Sequence, residues 1–170
     1  VDRLQLATLL SWAGEGGFRG RKRLQKVVFF LQEAGCSLDC RFILHNYGPY
    51  SRDVADACDE IVAAGLVDES YDDSSGYVQY TYSLTQFTRE LLQRTPDPRM
   101  QRFEAVGRGL INEDLRTLEL GSTILFFFRQ CKNWDEALEG ACKFKKVSQD
   151  TSPSLTALKL ARRIEAWASN

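Results

Sequence analysis

The sequence predicts an α+β chain, with a winged-helix-like N-terminal unit over residues 1–94 and a helical unit over 99–170 packed on it. Three observations carry that expectation. Several segments place apolar residues at i, i+3, i+4 and i+7, the stripe of a helix with one buried face. Val78, Tyr80, Tyr82 and Leu84 alternate with Gln79, Thr81 and Ser83, the period-two pattern of a half-buried strand. Thr95-Pro96-Asp97-Pro98 is the clearest break in the chain, because two prolines remove backbone donors and fix φ.

Leu4 to Trp12 reads as a first helix, ended by Gly14, Gly16 and Gly17. A second runs from about Gly20 to Ala34 on the stripe Leu24, Val27, Val28 and Leu31, and Gly35 closes it. Arg41 to Tyr47 is a short β-prone run leading into the turn Tyr47-Gly48-Pro49-Tyr50. Ser51 is placed to cap a third helix, Arg52 to Ala64, with Asp53 in its first turn and Val54, Ala57, Cys58 and Ile61 on its buried face. Leu66 to Tyr71 and Tyr77 to Leu84 then form a hairpin over the polar tip Asp72-Asp73-Ser74-Ser75-Gly76. Three helices followed by a β-hairpin is the order of a winged helix-turn-helix. Thr85 caps a short helix, Gln86 to Gln93. Beyond the prolines, helices are expected from Arg99 to Val106, from Glu113 to Cys131, from Asn133 (a capping box with Glu136) to about Lys143, and from Ser154 to Trp167.

Composition narrows the function. The chain has 170 residues, 22 Lys plus Arg, 23 Asp plus Glu and one His, for a formal net charge of −1. With 44% hydrophobic and 26% charged residues it can bury a core, which excludes a wholly disordered chain and a strongly basic nucleic-acid tail. The longest apolar runs are five residues, as at Ile124 to Phe128, far short of the roughly 18–20 residues of a membrane span. No basic region and apolar core resembling a signal peptide opens the sequence, and the five cysteines are an odd number. Reduced thiols in the cytoplasm are the expectation. Cys58 and Cys142 fall on apolar stripes; Cys36, Cys40 and His45 lack both a fourth ligand and a zinc spacing.

A single His limits acid–base catalysis, and no G-x-S-x-G, H-E-x-x-H or C-x-x-C motif occurs. The glycine-rich stretch Gly14 to Arg23 is no P-loop, because Gly20-Arg21-Lys22-Arg23 lacks the Lys-Ser/Thr pair and follows a helix. No catalytic residue, metal ligand or cofactor is assigned. An enzyme with a carboxylate-based site remains an alternative that only convergent acids in a pocket could support.

The near-neutral total hides a segregation. Arg19, Arg21, Lys22, Arg23 and Lys26 form a basic block, whereas no Lys or Arg occurs from Asp53 to Thr88. A DNA-reading winged helix needs cations on its third helix and wing. Here those elements carry Asp53, Asp56, Glu60, Asp72 and Asp73, so conventional groove reading is disfavoured. The basic block, with a second area at Lys143, Lys145, Lys146, Lys159, Arg162 and Arg163, has three readings: a solvated face or complement to the chain's own acids, a site for an acidic protein, or a nucleic-acid contact. Phe126, Phe127 and Phe128 span about 200° of a helix, so that helix is either enclosed on all sides, the favoured reading, or exposes one ring to a partner.

Gln25 and Lys26 sit where one of them reaches the Tyr47 to Tyr50 turn. Gly48 permits a tight backbone, Pro49 fixes φ, and the tyrosines supply apolar area with a hydroxyl to satisfy. The turn can lock the strand to the third helix, and a rigid turn with two Tyr near Arg is also hot-spot chemistry.

Arg23-Leu24-Gln25-Lys26-Val27-Val28-Phe29-Phe30-Leu31-Gln32, then Phe42 to His45, then Tyr47-Gly48-Pro49-Tyr50-Ser51, resembles the YwgA-like family of uncharacterised bacterial proteins. It resembles, more distantly, the SocA-like antitoxin domain called Panacea. Leu118-Glu119-Leu120-Gly121-Ser122-Thr123-Ile124 is similar to a Glu-x-x-Ser-Thr-Ile stretch of the YwgA-like group. The first likeness covers most of the chain and implies no established activity. The second covers about the first half and implies a protein-binding module that neutralises toxins by direct contact, in one case as an adaptor for proteolysis. The chain departs from that domain in its longer helical C-terminal part and in the basic segment Gly14 to Arg23.

The expected function is therefore a non-enzymatic, cytoplasmic protein-interaction module of regulatory or antitoxin-like type. Its expected partner-binding residues are Arg19, Arg21, Lys22, Arg23, Lys26, Tyr47, Gly48, Pro49 and Tyr50. The runner-up is a DNA-binding regulator that uses a non-standard basic face.

Overall fold

A computed structural model describes residues 1–74 and 76–168, so Ser75 of the hairpin tip lies outside the described residues. The chain is a mixed helix-and-sheet protein. It runs α1 (Arg3–Ser11), β1 (Phe18–Arg19), α2 (Arg21–Glu33), β2 (Ile43–His45), β3 (Gly48–Tyr50) and α3 (Arg52–Ala63). Then come β4 (Val67–Asp72), β5 (Gln79–Leu84), α4 (Gln86–Arg94), α5 (Pro98–Gln101), α6 (Glu104–Ile111), α7 (Leu115–Cys131), α8 (Trp134–Lys145) and α9 (Ser152–Ala168).

Among the described residues two antiparallel sheets form. β1, β5 and β4 lie in that order, with Phe18 opposite Tyr82 and Val67 opposite Leu84, while β2 and β3 make a separate hairpin with Leu44 opposite Pro49. The β4–β5 hairpin turns its buried positions Val67, Tyr82 and Leu84 to the core, as the alternation predicts, but Val78 lies before the strand and is exposed. β1 is a finding the sequence does not announce. Two residues are too few to show a period, and the surrounding glycines resemble a loop. Gly17, at φ +71°, is what lets it pair: a Cβ there would lie 2.8 Å from Ser83 Oγ and 2.9 Å from the Tyr82 carbonyl.

Helix ends follow side-chain chemistry. Asp2, Thr85 and Asp114 each accept from the amide three residues on, and Asn133 accepts from both Asp135 and Glu136. Ser51 departs from its expected role. It is buried at the α3 N-terminus but does not cap it; its hydroxyl lies 3.4 Å from the Asp53 carboxylate, which also accepts from the Arg41 amide. The helix expected from Arg99 to Val106 is two helices, α5 and α6. Between them the chain tightens, the Phe103 amide donating to the Met100 carbonyl three residues back.

One apolar cluster runs from Leu6 to Ile164 and joins the early helices to the late ones. α7 is its axis, packed by α2, α8, α9 and β3. Its three consecutive phenylalanines are each half-buried against a different neighbour: Phe126 against Phe29, Phe127 against Phe144, and Phe128 stacked on Trp134 at 3.7 Å. Cys36, Cys40, Cys58 and Cys142 are buried free thiols, and Cys131 is exposed. Among the described residues no helix is long and apolar enough to cross a membrane.

Candidate binding cleft

α2 turns one polar edge to the segment that follows it. Gln25 and Gln32 are seven residues apart, which two helical turns place on one side. Each amide closes a pair of hydrogen bonds with one backbone residue. Gln25 donates to the Ser51 carbonyl at 2.9 Å and accepts from the Ser51 amide at 2.8 Å. Gln32 donates to the Cys40 carbonyl at 2.9 Å and accepts from the Cys40 amide at 2.8 Å. At the buried Gln25–Ser51 pair, an unpaired group would cost about 1–3 kcal/mol; the Gln32 pair is partly buried. Lys26 adds a third tie, its ammonium donating to the Pro49 carbonyl at 2.6 Å. Both Gln25 and Lys26 thus reach the turn.

The turn is pressed onto α7. Gly48 has φ +93°, and a Cβ on it would stand 2.5 Å from Thr123 Oγ1 and 3.3 Å from the Glu119 carbonyl. Thr123 Oγ1 in turn donates to that carbonyl at 2.7 Å. The Glu119 carboxylate pairs with Lys145 at 3.4 Å. Tyr47 projects outward, half-exposed, with the Lys22 ammonium 3.4 Å from its ring centroid.

Burial dominates the electrostatics here. The Lys26 side chain is only 2% exposed, and burial pulls its pKa from 10.5 down to about 8. Nearby Glu119 opposes the shift, while Lys145 and Lys22 reinforce it. Glu69 holds the Arg21 guanidinium above its ordinary range, and burial pushes the Tyr82 and Cys58 hydroxyl and thiol up. Under the turn, between α2, α3 and the β2–β3 hairpin, lies a cleft of about 330 Å³. Its walls are Leu24, Gln25 and Lys26 from α2, Tyr47 and Tyr50 from the turn, and Val54 and Cys58 from α3.

The nine expected contact residues divide by what holds them. Arg19, Lys22 and Tyr47 are exposed, and among the described residues Arg19 and Lys22 form no ion pair. Arg21 is exposed but engaged, donating to Glu69 at 2.7 Å and to the Tyr82 hydroxyl at 2.8 Å. That pair joins the basic block to the chain's own acidic run. Arg23 donates to the carbonyls of Ile111 and Glu113 and so ties α2 to the α6–α7 connection. Lys26, Gly48 and Pro49 are buried, and Tyr50 is half-buried with its ring 5.7 Å from that of exposed His45. Sequence reasoning missed Glu119, Thr123 and Lys145 at the turn. The first two lie in the Glu-x-x-Ser-Thr-Ile stretch, the signal that could have found them. Among the described residues no three His, Cys, Asp or Glu side chains are grouped to hold a metal ion.

Fold and site together define a class: a mixed helix-and-sheet protein in which a glutamine- and lysine-clamped Tyr-Gly-Pro-Tyr turn roofs an amine-rich cleft. The chain belongs to the YwgA family. It is 31% identical over 126 residues, 74% of each chain, to the uncharacterized protein YwgA of Bacillus subtilis (strain 168). No protein-family model matches the sequence.

Proposed function

We propose that the chain is a non-enzymatic, cytoplasmic protein-interaction module of regulatory or antitoxin-like type, binding an acidic surface of its partner through Arg19, Lys22 and Tyr47. The observation that carries this reading is the rigid presentation of Tyr47. The turn behind it is fixed by Gln25, Lys26 and Thr123, so an exposed aromatic ring with an ammonium on its face is held ready. An aromatic side chain on a fixed backbone loses little entropy on binding, and a Tyr beside an Arg is the usual make-up of an interface hot spot.

The reading includes a winged-helix arrangement for residues 1–94, with 99–170 as a helical unit packed on it. Support comes from the order α1, β1, α2, β2, β3, α3, β4, β5, in which the β2–β3 hairpin is inserted between α2 and α3, and from the β1-β5-β4 sheet. It also includes a distant relation to the SocA-like domain, supported by the Leu-Gln-Lys helix and the Tyr-Gly-Pro turn that it ties down. The α3 surface argues against conventional DNA reading, since Asp53, Asp56, Asp59 and Glu60 are exposed on it.

The test is purification of tagged full-length chain from native lysate, with and without nuclease, alongside an Arg19→Glu/Lys22→Glu/Tyr47→Ala variant. A stoichiometric protein that survives nuclease and is lost from the variant supports the module. Nucleic acid that co-purifies and disappears with nuclease or high salt overturns it in favour of a DNA-binding regulator.

A further inference from the structure

The cleft beneath the turn has a composition of its own. At about 330 Å³ it falls at the lower end of small-molecule sites, and its lining is mainly apolar, with basic groups on the α2 side, His45 on β2 and Asp59 on the α3 side. Leu24, Val54 and Tyr50 supply apolar surface; Lys22 and Lys26 supply amines. The amines lack a matching acid. Lys26 is 2% exposed yet donates to a neutral carbonyl, and among the described residues no carboxylate lies within ion-pairing distance of it. The nearest acid by its electrostatic effect, Glu119, is already engaged by Lys145. Lys22 and Lys145 both act on Lys26 as like charges, and among the described residues Glu119 is the one carboxylate that offsets them. A buried cation is costly until paired.

We propose that the cleft is a binding site for a small organic monocarboxylate, its acid group met by the amines of Lys22 and Lys26 and its apolar body lying on Leu24, Val54 and Tyr50. A single negative charge fits better than two. Asp59 stands exposed on the α3 side of the cleft and repels a second anionic group, and Arg21 is already neutralised by Glu69. The size admits a six-carbon chain or one substituted ring. The site goes beyond partner docking and shares Lys22 with that outer rim, but small-ligand binding by the chain alone is read with no partner present, so either reading can fail without the other.

The experiment is isothermal titration of the full chain with phenylacetate and hexanoate, against phenylacetamide as the neutral isostere and phenyl phosphate as the dianion. At least one acid is expected to bind about tenfold or more tightly than the amide, a difference of about 1.4 kcal/mol. Lys22→Ala, on an exposed side chain that leaves the core intact, should weaken that acid several-fold. Lys26→Met should weaken it about tenfold while leaving amide binding unchanged. If Lys26→Met does not fold, the acid-to-amide ratio and Lys22→Ala still decide. Acids that bind no better than the amide, or not at all at about 10 mM, overturn the proposal. Tighter binding of phenyl phosphate than of either acid does so as well.

Discussion

Gln25 holds Ser51 by both of its backbone groups, at 2.9 and 2.8 Å, across 26 residues of sequence. The Ser51 side chain makes no cap to α3, and the residue acts instead as a backbone anchor for the Tyr47 to Tyr50 turn. Replacing Gln25 with Ala leaves the buried Ser51 amide without a partner and its carbonyl with only the 3.4 Å bond from the Ala55 amide. Stability should fall by about 1–3 kcal/mol, read as a lower urea midpoint. Gln25→Glu should not restore it, because a carboxylate cannot donate to the Ser51 carbonyl.

Gly48 is constrained twice, by its positive φ and by Thr123 Oγ1. Gly48→Ala should cost about 2–4 kcal/mol, the sum of a left-handed backbone penalty and local overpacking. Thr123→Ala removes the clashing oxygen, so the double variant should be less destabilised than the two single changes added together. Denaturation of all four proteins in one cycle measures the coupling. Strict additivity would place the turn away from α7.

Lys26 gives the chain a specific pH dependence. Its pKa is lowered on folding, from 10.5 to about 8, by burial, with Lys145 and Lys22 adding to the effect and Glu119 opposing it. Below pH 8 the folded and unfolded states are both charged, and the cost of burying the ammonium is fully present. Between about pH 8 and 10.5 the unfolded chain binds more protons, so this contribution to stability rises with pH. The buried Cys36, Cys40, Cys58 and Cys142 thiols, whose pKa values burial raises, act in the opposite direction. They cancel in a difference. Wild type minus Lys26→Met stability should therefore climb across that window by on the order of 3 kcal/mol, measured by denaturant melts at stepped pH.

The same burial sets thiol reactivity. Cys131 is the exposed thiol, and the other four are enclosed with their ionisation suppressed. Native protein treated with iodoacetamide should be modified first at Cys131, with the remaining sites following only as the chain opens. Mass spectrometry of a time course distinguishes this from uniform labelling.

Much of this architecture is written in local patterns. The stripe Leu24, Val27, Val28, Leu31 and the alternation through Tyr82 and Leu84 locate α2 and β5, because one buried face imposes its period on the sequence. α5 and α6 were not separable in the same way. Met100, Phe103, Gly107 and Leu110 are all buried and continue one helical stripe through the tight turn, so the break leaves no trace in the pattern. The turn is legible as a motif, and a link to α2 follows from one of Gln25 and Lys26 being placed to reach it; that both do is seen only in the structure. The α7 side of the turn is not legible by periodicity, since Glu119 and Thr123 lie about 70 residues away and their role depends on packing. The basic block reads as one patch in sequence; only geometry separates Arg19 and Lys22 from Arg21 and Arg23, which serve the fold.

The most direct test of the central claim, that the face around Tyr47 is where a protein partner binds, is site-specific photo-crosslinking in cells. A benzophenone amino acid is introduced at Tyr47 and, in a separate chain, at Phe87, which is 64% exposed on α4. The account predicts a discrete protein adduct at Tyr47 that vanishes when Arg19 and Lys22 are reversed to Glu, and none at Phe87. An adduct at Phe87 with none at Tyr47, or a Tyr47 adduct indifferent to the charge reversal, would contradict it.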